Sequence, residues 1–383
     1  VNKVPFSRPT IAGSEGRYVE RAIESGLTSG GEFTVRCEGW LERRTGSPMA
    51  RLAHSGTGAL EAAMMLVGLS AGDEVIMPSF AYPTMATAVV REGATPVFVD
   101  IEAETLNLDP DAVRSAVGPR TRAIVAVHYG GVGCAMEELL EIAADAGALL
   151  IEDAAHCLLA EYEGRALGSI GDLGTYSFHH TKNLTCGEGG ALLVNRPQLC
   201  ERAEVVWEKG TDRRRFERGE VDRYTWVDVG SSFAASELSA AFLWGQLEIA
   251  DEVTARRRAI WDRYHAAFAG LEQEGLLKRP GVPPGCLHNG HLYYLVLRSA
   301  GDREAFIAEL AGAGIACAFH YVPLHDSPAG MEFGRVQGSI EQTEVLGSRL
   351  VRLPLWADID ERSLGRVIET SRAAVRRVAG SRA

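Results

Sequence analysis

Between residues 56 and 194, stretches with helical spacing of apolar residues alternate with short runs that are almost wholly apolar, and no other feature restricts the fold of this chain so tightly. The runs are Glu74-Val-Ile-Met-Pro78, Thr95-Pro-Val-Phe-Val-Asp100, Arg122-Ala-Ile-Val-Ala-Val-His128, Ala148-Leu-Leu-Ile-Glu-Asp153 and Gly190-Ala-Leu-Leu-Val194. A strand that is apolar on both faces has to be covered on both, so the alternation predicts βα units and an α/β fold with a mainly parallel central sheet and flanking helices. In such sheets ligands gather beyond the carboxyl ends of the strands. His128, Asp153 and residues 177–182 lie at or just past such ends and are predicted to face the crevice.

Further along, Glu237-Leu-Ser-Ala-Ala-Phe-Leu-Trp-Gly-Gln-Leu-Glu248 and its continuation to Tyr264 read as one long helical stretch, of the kind that bridges two domains. Proline and glycine then cluster at 280–285, before an apolar strand at 292–297, an amphipathic helix at 302–313 and another strand at 315–321. At 383 residues the chain exceeds one typical domain. The predicted division is a large ligand-binding domain at 10–251 and a smaller C-terminal α+β domain at 252–383, with residues 1–9 packing nearby.

Several functional classes are disfavoured by composition. No apolar run approaches the ~20 residues that span a bilayer, so no membrane association is expected. Residues 1–9 lack both a basic stretch leading into an apolar segment and a small-residue cleavage site, so a cytoplasmic location is expected. The seven cysteines are scattered, with no Cys-x-x-Cys pair, which points to reduced thiols and to no metal site. A net charge of -12 opposes binding to nucleic acid. The basic run Arg213-Arg214-Arg215 reads equally as a solvated loop or as a patch that meets a phosphorylated ligand.

The chemistry concentrates in Ser177-Phe-His-His-Thr-Lys-Asn-Leu-Thr-Cys-Gly-Glu-Gly-Gly190, which sets Lys182 between a strand and a glycine-rich return to the sheet. Burial lowers the pKa of a lysine and supplies the free amine that forms Schiff bases. Asp153 ends an apolar strand, where a carboxylate needs a cationic partner; capping the segment after it is the competing role. His156 can sit beside a bound ring or serve structure alone. Ser55-Gly-Thr-Gly-Ala-Leu60 opens a helical pattern, so the amides of Gly56, Thr57 and Gly58 and the Thr57 hydroxyl form an anion site or a plain helix cap. Ser177 can add a second hydroxyl, and Tyr82 can stack on a ring or simply pack. An acid for a pyridine nitrogen, donors for a phosphate, a stacking plane and an amine are together what pyridoxal 5′-phosphate requires.

These motifs make the chain resemble the sugar-nucleotide aminotransferases among fold-type-I pyridoxal-phosphate enzymes. Gly72-Asp-Glu-Val-Ile-Met-Pro78, Val127-His-Tyr-Gly-Gly131, Glu152-Asp-Ala-Ala-His156 and Gly187-Glu-Gly-Gly190 are similar to further landmarks of that family, and the likeness runs from about Pro5 to Leu355. The resemblance implies a Schiff base at Lys182, pyridinium pairing at Asp153, phosphate contacts from Gly56, Thr57, Gly58 and Ser177, ring stacking by Tyr82, and a homodimer with shared active sites. Lys209-Gly-Thr211, residues 221–232 and Phe319-His-Tyr-Val-Pro-Leu-His325 resemble a subgroup that aminates C4 of dTDP-4-keto-6-deoxyglucose, with glutamate as donor and pyridoxamine 5′-phosphate as the intermediate cofactor form. Ser232 stands where many relatives carry an asparagine that crosses the dimer to the phosphate. Tyr321 and His325, and after them Arg213, Arg214 and Arg215, are candidates for the sugar or its pyrophosphate.

Competing expectations are amination at C3, sugar dehydration on the same fold, and a non-catalytic regulator. Dehydration goes with histidine in place of the lysine, which Lys182 opposes, and a regulator would show erosion of the cofactor set. A nicotinamide dehydrogenase would need Gly-x-Gly-x-x-Gly ahead of a helix, whereas the glycines of Gly187-Glu-Gly-Gly190 precede a strand.

Overall fold

The computed structural model describes residues 3–27 and 30–380; residues 1 and 2 of the N-terminal stretch and 381–383 of the expected C-terminal domain lie outside the described residues. Strands β1 (Met49–Ala53), β2 (Glu74–Pro78), β3 (Thr95–Val99), β4 (Thr121–Val127) and β5 (Leu149–Asp153) follow one another with helices between them. A short hairpin of β6 (Glu161–Tyr162) and β7 (Arg165–Ala166) precedes β8 (Leu173–Ser177) and β9 (Gly190–Val194). The C-terminal part adds β10 (Leu277–Lys278), β11 (Cys286–Leu287), β12 (Tyr293–Leu297), β13 (Arg335–Val336) and β14 (Leu350–Leu353).

The central sheet has the order β1-β9-β8-β5-β4-β2-β3-β13. Every pairing from β8 to β13 is parallel, and β9 alone opposes its neighbours β8 and β1. The two-residue period of a strand sends alternate side chains to opposite faces. Val75 and Met77 of β2 thus join Ala59 and Leu60 of the helix Gly56–Val67 on one face, while Ile76 joins Leu139 and Ile142 of the helix Met136–Ala146 on the other. The smaller antiparallel sheet β10-β12-β14 carries its own core of Tyr264, Phe268, Tyr293, Phe306 and Val367, into which Val4 also inserts. Among the described residues no helix is long and apolar enough to cross a membrane.

Three local expectations need correction. The stretch at 236–268 is two helices, Glu237–Glu248 and Ala250–Gln273, broken at Ile249. The first buries Leu243 and Leu247 in the central core, while the second delivers Tyr264 and Phe268 to the other core, so the change of direction lets each face its own layer. Residues 315–321 form no strand, only isolated bridges from Ile315 to Val4 and from Ala318 to Arg352. Beyond them the chain leaves the small sheet and sets Tyr321 against Phe80, with ring centroids 5.4 Å apart. No helix follows Asp153, which removes the helix-capping role for its carboxylate.

Candidate active site

Beyond the carboxyl ends of β5 and β8 lies a cavity of about 560 Å³, whose lining includes Gly56, Thr57, Tyr82, Asp153, His156, Ser177, Lys182, Tyr321 and Arg352. One wall is the start of the helix Gly56–Val67. Ser55 caps it, accepting from the Gly58 amide at 3.0 Å, and the earlier amides keep no intrahelical acceptor. Free amides at a helix start can receive an anion. Two glycines make the approach possible: a Cβ on Gly56 would lie 2.9 Å from Cβ of Ser177, and one on Gly190 would lie 2.5 Å from the Gly56 nitrogen. The glycine-rich return and the helix start therefore fit together only without side chains at these points.

Lys182 rides on a compact loop between β8 and β9. The Phe178 amide donates to the Gly189 carbonyl at 2.8 Å, and the Lys182 amide donates to the His179 carbonyl at 2.9 Å. Asn183 anchors the loop on the far side, its Nδ2 donating to the Asn289 carbonyl at 3.2 Å and its Oδ1 lying 2.9 Å from Nδ1 of His291. The lysine is half-buried. Burial pushes its amine down to about 8, against a smaller opposing pull from Asp153.

Asp153, 8% exposed, has one carboxylate oxygen accepting from the Ala155 amide at 3.1 Å and forms no ion pair among the described residues. Burial raises its pKa, while the Ala155 amide and the nearby Lys182 and His128 charges pull the other way. A buried carboxylate in this position would be stabilised by a cation brought into the cavity. The His156 ring stacks on His291, with centroids 4.1 Å apart and planes at 20°. Burial, then the Lys182 charge, holds both imidazoles well below their ordinary pKa, so they are neutral. Tyr82, 61% exposed, stands at the rim with its ring 6.4 Å from that of Tyr321.

Other predicted residues lie elsewhere. His128 is fully buried behind the site, 2.9 Å from the Glu152 carboxylate, which also accepts from the amides of Gly168, Ile170 and Gly171. His325 sits 2.7 Å from Ser79 Oγ and faces a neighbouring hollow that it shares with Phe319 and Tyr321. Ser232 is exposed and outside the cavity lining. The loop expected at Arg213, Arg214 and Arg215 is a short helix, Arg213–Glu217, away from the cavity. Its arginines pair with Glu217, Glu208 and Glu220 at 3.0 to 3.2 Å, so surrounding glutamates neutralise the basic run on the surface.

Sequence reasoning missed Arg257, His291, His320 and Arg352, all in the lining. Arg257 donates to the carbonyls of Gly290 and His291 at 3.1 and 2.7 Å and so shapes the wall that His291 offers. The lysine loop also brings ligand atoms of His179, His180 and Glu188 within 4.8 Å of one another, a grouping that a cysteine count does not reveal.

A family model described as the DegT/DnrJ/EryC1/StrS aminotransferase family matches residues 9–372. The spore coat polysaccharide biosynthesis protein SpsC of Bacillus subtilis (strain 168) is 33% identical over 381 residues, covering 97% of each chain. Among solved structures, Spr1654 of Streptococcus pneumoniae, described as a sugar aminotransferase and solved in its PMP form, superposes with a TM-score of 0.91 at 26% identity over 99% of each chain. The aminotransferase TlmJ of Streptoalloteichus hindustanus superposes at 0.89 with 30% identity, over 98% of this chain and 100% of its own.

Proposed function

The chain belongs to the DegT/DnrJ/EryC1/StrS aminotransferase family, and on that premise we propose that it moves an amino group from L-glutamate to C4 of a dTDP-4-keto-6-deoxyhexose, giving a dTDP-4-amino-4,6-dideoxyhexose. Its cofactor is pyridoxal 5′-phosphate, alternating with pyridoxamine 5′-phosphate, and Spr1654 has been solved with each of these as well as in an apo form. The observation that carries the reading is a lysine amine pushed down to about 8 and a buried, unpaired carboxylate facing one cavity with a helix N-terminus.

The residues fit the cofactor. Asp153 would keep its ring nitrogen protonated, which provides the cation that this carboxylate lacks within the chain. The amides of Gly56 and Thr57, with the Ser177 hydroxyl, would hold the phosphate, while His156 and Tyr82 would flank the ring; the Gly58 amide, expected to join them, is spent on Ser55 Oγ and lies outside the lining. When bound, the cofactor supplies an electron sink for the pair released as a carbon loses its proton. Lys182 is the amine that would hold its aldehyde carbon at rest. During turnover Lys182 Nζ would take the proton from the donor α-carbon and pass it to the carbon that this amine holds at rest, a task that suits an amine titrating near neutral pH. Tyr321, at the junction of the cavity and the neighbouring hollow, is the proposed sugar contact.

The C4 and dTDP assignments rest on the likeness of residues 209–211, 221–232 and 319–325 to one subgroup. We also propose the division at 251/252 and a cytoplasmic homodimer in which Ser232 serves the partner's phosphate site. Exposed Trp226 and Val229, at 76% and 64%, form the apolar surface that such a dimer would cover.

The test is the visible absorption of the cofactor-loaded protein beside Lys182→Ala. Glutamate should remove the visible band, the keto-sugar nucleotide should restore it, and the variant should do neither. Absence of any lysine-dependent band overturns the reading, whereas a response to glutamate but not to this sugar leaves amino transfer standing and replaces the acceptor.

A further inference from the structure

We propose that His179, His180 and Glu188 form a binding site for a divalent transition metal of the zinc class, which fastens the two arms of the lysine loop at the cavity mouth. His179 and His180 leave the carboxyl end of β8, and Glu188 stands two residues before β9. The backbone already draws these arms together: the Phe178 amide donates to the Gly189 carbonyl at 2.8 Å, and the Cys186 amide to the Phe178 carbonyl at 3.0 Å. Among the described residues, this is the one grouping of three histidine, cysteine or acidic side chains whose ligand atoms all lie within 4.8 Å of one another. His179 and Glu188 line the cavity, while His180 turns to solvent beside them.

Zinc takes imidazole nitrogen and carboxylate oxygen at about 2.0–2.2 Å, and tetrahedral angles then set two donors roughly 3.3–3.5 Å apart. Nε2 of His179 and Oε1 of Glu188 are 3.5 Å apart, so one edge of the tetrahedron is in place. The His180 ring stands beside it, its centroid 3.9 Å from that of His179. His180 and Glu188 are exposed and close the remaining distance by side-chain rotation, without disturbing the core. Thr181 orients His179, with its hydroxyl 2.9 Å from Nδ1 and its amide 3.4 Å away. When Nε2 ligates, Nδ1 carries the proton and donates to the hydroxyl, the nearer of the two, which is the outer support a ligating imidazole needs. Cys186 lies outside the group, its Sγ donating to the Glu188 carbonyl at 3.3 Å, so the fourth position is left to water. Mixed nitrogen and oxygen donors favour zinc over magnesium or calcium, which prefer oxygen alone. The cation that opposes a metal here is Lys182, whose charge reaches His179. It is also the amine that the cofactor would take up, so the site is least opposed in the cofactor-loaded protein.

The site is independent of the amino-transfer reading, whose own test uses no metal. Metal-free, cofactor-loaded full-length protein is titrated with zinc chloride in a calorimeter and, separately, with magnesium chloride. One zinc per chain with a dissociation constant under about 100 μM is expected, with no heat of binding from magnesium at the same concentrations. Glu188→Gln and His180→Ala each remove one donor from an exposed position and should weaken zinc binding at least about tenfold. Glu188→His, which exchanges one donor for another, should bind within about tenfold of wild type. Amide hydrogen exchange of residues 178–189 should slow when zinc is added to wild type and stay unchanged in Glu188→Gln. Absence of zinc binding, zinc binding that both donor-removing variants retain, as at the cofactor itself, or magnesium binding of equal strength overturns the site. Bound zinc without protection of residues 178–189 overturns the fastening of the loop.

Discussion

In the cofactor-free protein, Lys182 should react with an acylating reagent along a titration curve whose midpoint lies near pH 8. The cause is burial at the cavity wall, which penalises the ammonium and takes its pKa from 10.5 to about 8. At pH 7 such an amine is roughly 10% uncharged, against roughly 0.03% at the ordinary value, so its reactivity should be raised about 300-fold by ionisation alone. The chain has only four lysines, at positions 3, 182, 209 and 278, so peptide mapping after brief labelling resolves each rate separately. Asp153→Asn fixes the sign, because that carboxylate holds the ammonium up; removing it should move the midpoint below 8. The same burial makes a stability prediction. A base depressed in the folded state penalises folding below about pH 8, and the penalty fades as pH rises from about 8 to 10.5. Lys182→Met should therefore stabilise the cofactor-free protein at pH 7 by at most about 3 kcal/mol, since the half-buried amine keeps some solvent, and the gain should vanish above pH 10.5. A Lys182 labelling midpoint near 10, or a midpoint that rises in Asp153→Asn, would refute this reasoning.

Replacing Glu152 by alanine strips acceptors from the Gly168, Ile170 and Gly171 amides together, so urea unfolding should show a loss of at least about 3 kcal/mol; a loss under about 1 kcal/mol would mean that water replaces the carboxylate. Gly56→Ala places a methyl 2.9 Å from Cβ of Ser177, so equilibrium dialysis should show cofactor affinity falling at least about tenfold, and unchanged affinity would place the phosphate elsewhere. Simultaneous alanines at Arg213, Arg214 and Arg215 should leave the half-saturating acceptor concentration within about twofold, because these side chains face glutamates and not the cavity.

Much of the site was legible because its parts follow local rules. Strands buried on both faces announced the parallel sheet, a serine and glycines ahead of an apolar helix announced the helix start at the cavity, and a carboxylate ending an apolar strand announced a buried charge in its lining. The reversed strand β9 was not legible: all its residues are buried, as in β2, and burial carries no direction. The break at Ile249 was hidden for a related reason, since both helices have helical spacing and only the existence of two cores demands that they diverge.

Arg352 and His291 were missed because nothing local distinguishes them. An arginine between Val351 and Leu353 reads as the solvent face of an ordinary strand, and here its strand partner Tyr294 packs against Tyr129, with ring centroids 5.7 Å apart, so that face is covered and turned to the cavity. The same reasoning explains why the arginine triplet misled. Three adjacent cations are conspicuous in one dimension, yet Glu201, Glu208, Glu217 and Glu220 surround them in three. A single guanidinium whose buried Nε has no acceptor among the described residues, as in Arg352, is chemically more available than three that are paired, and availability depends on what stands opposite a side chain, which is a property of the fold.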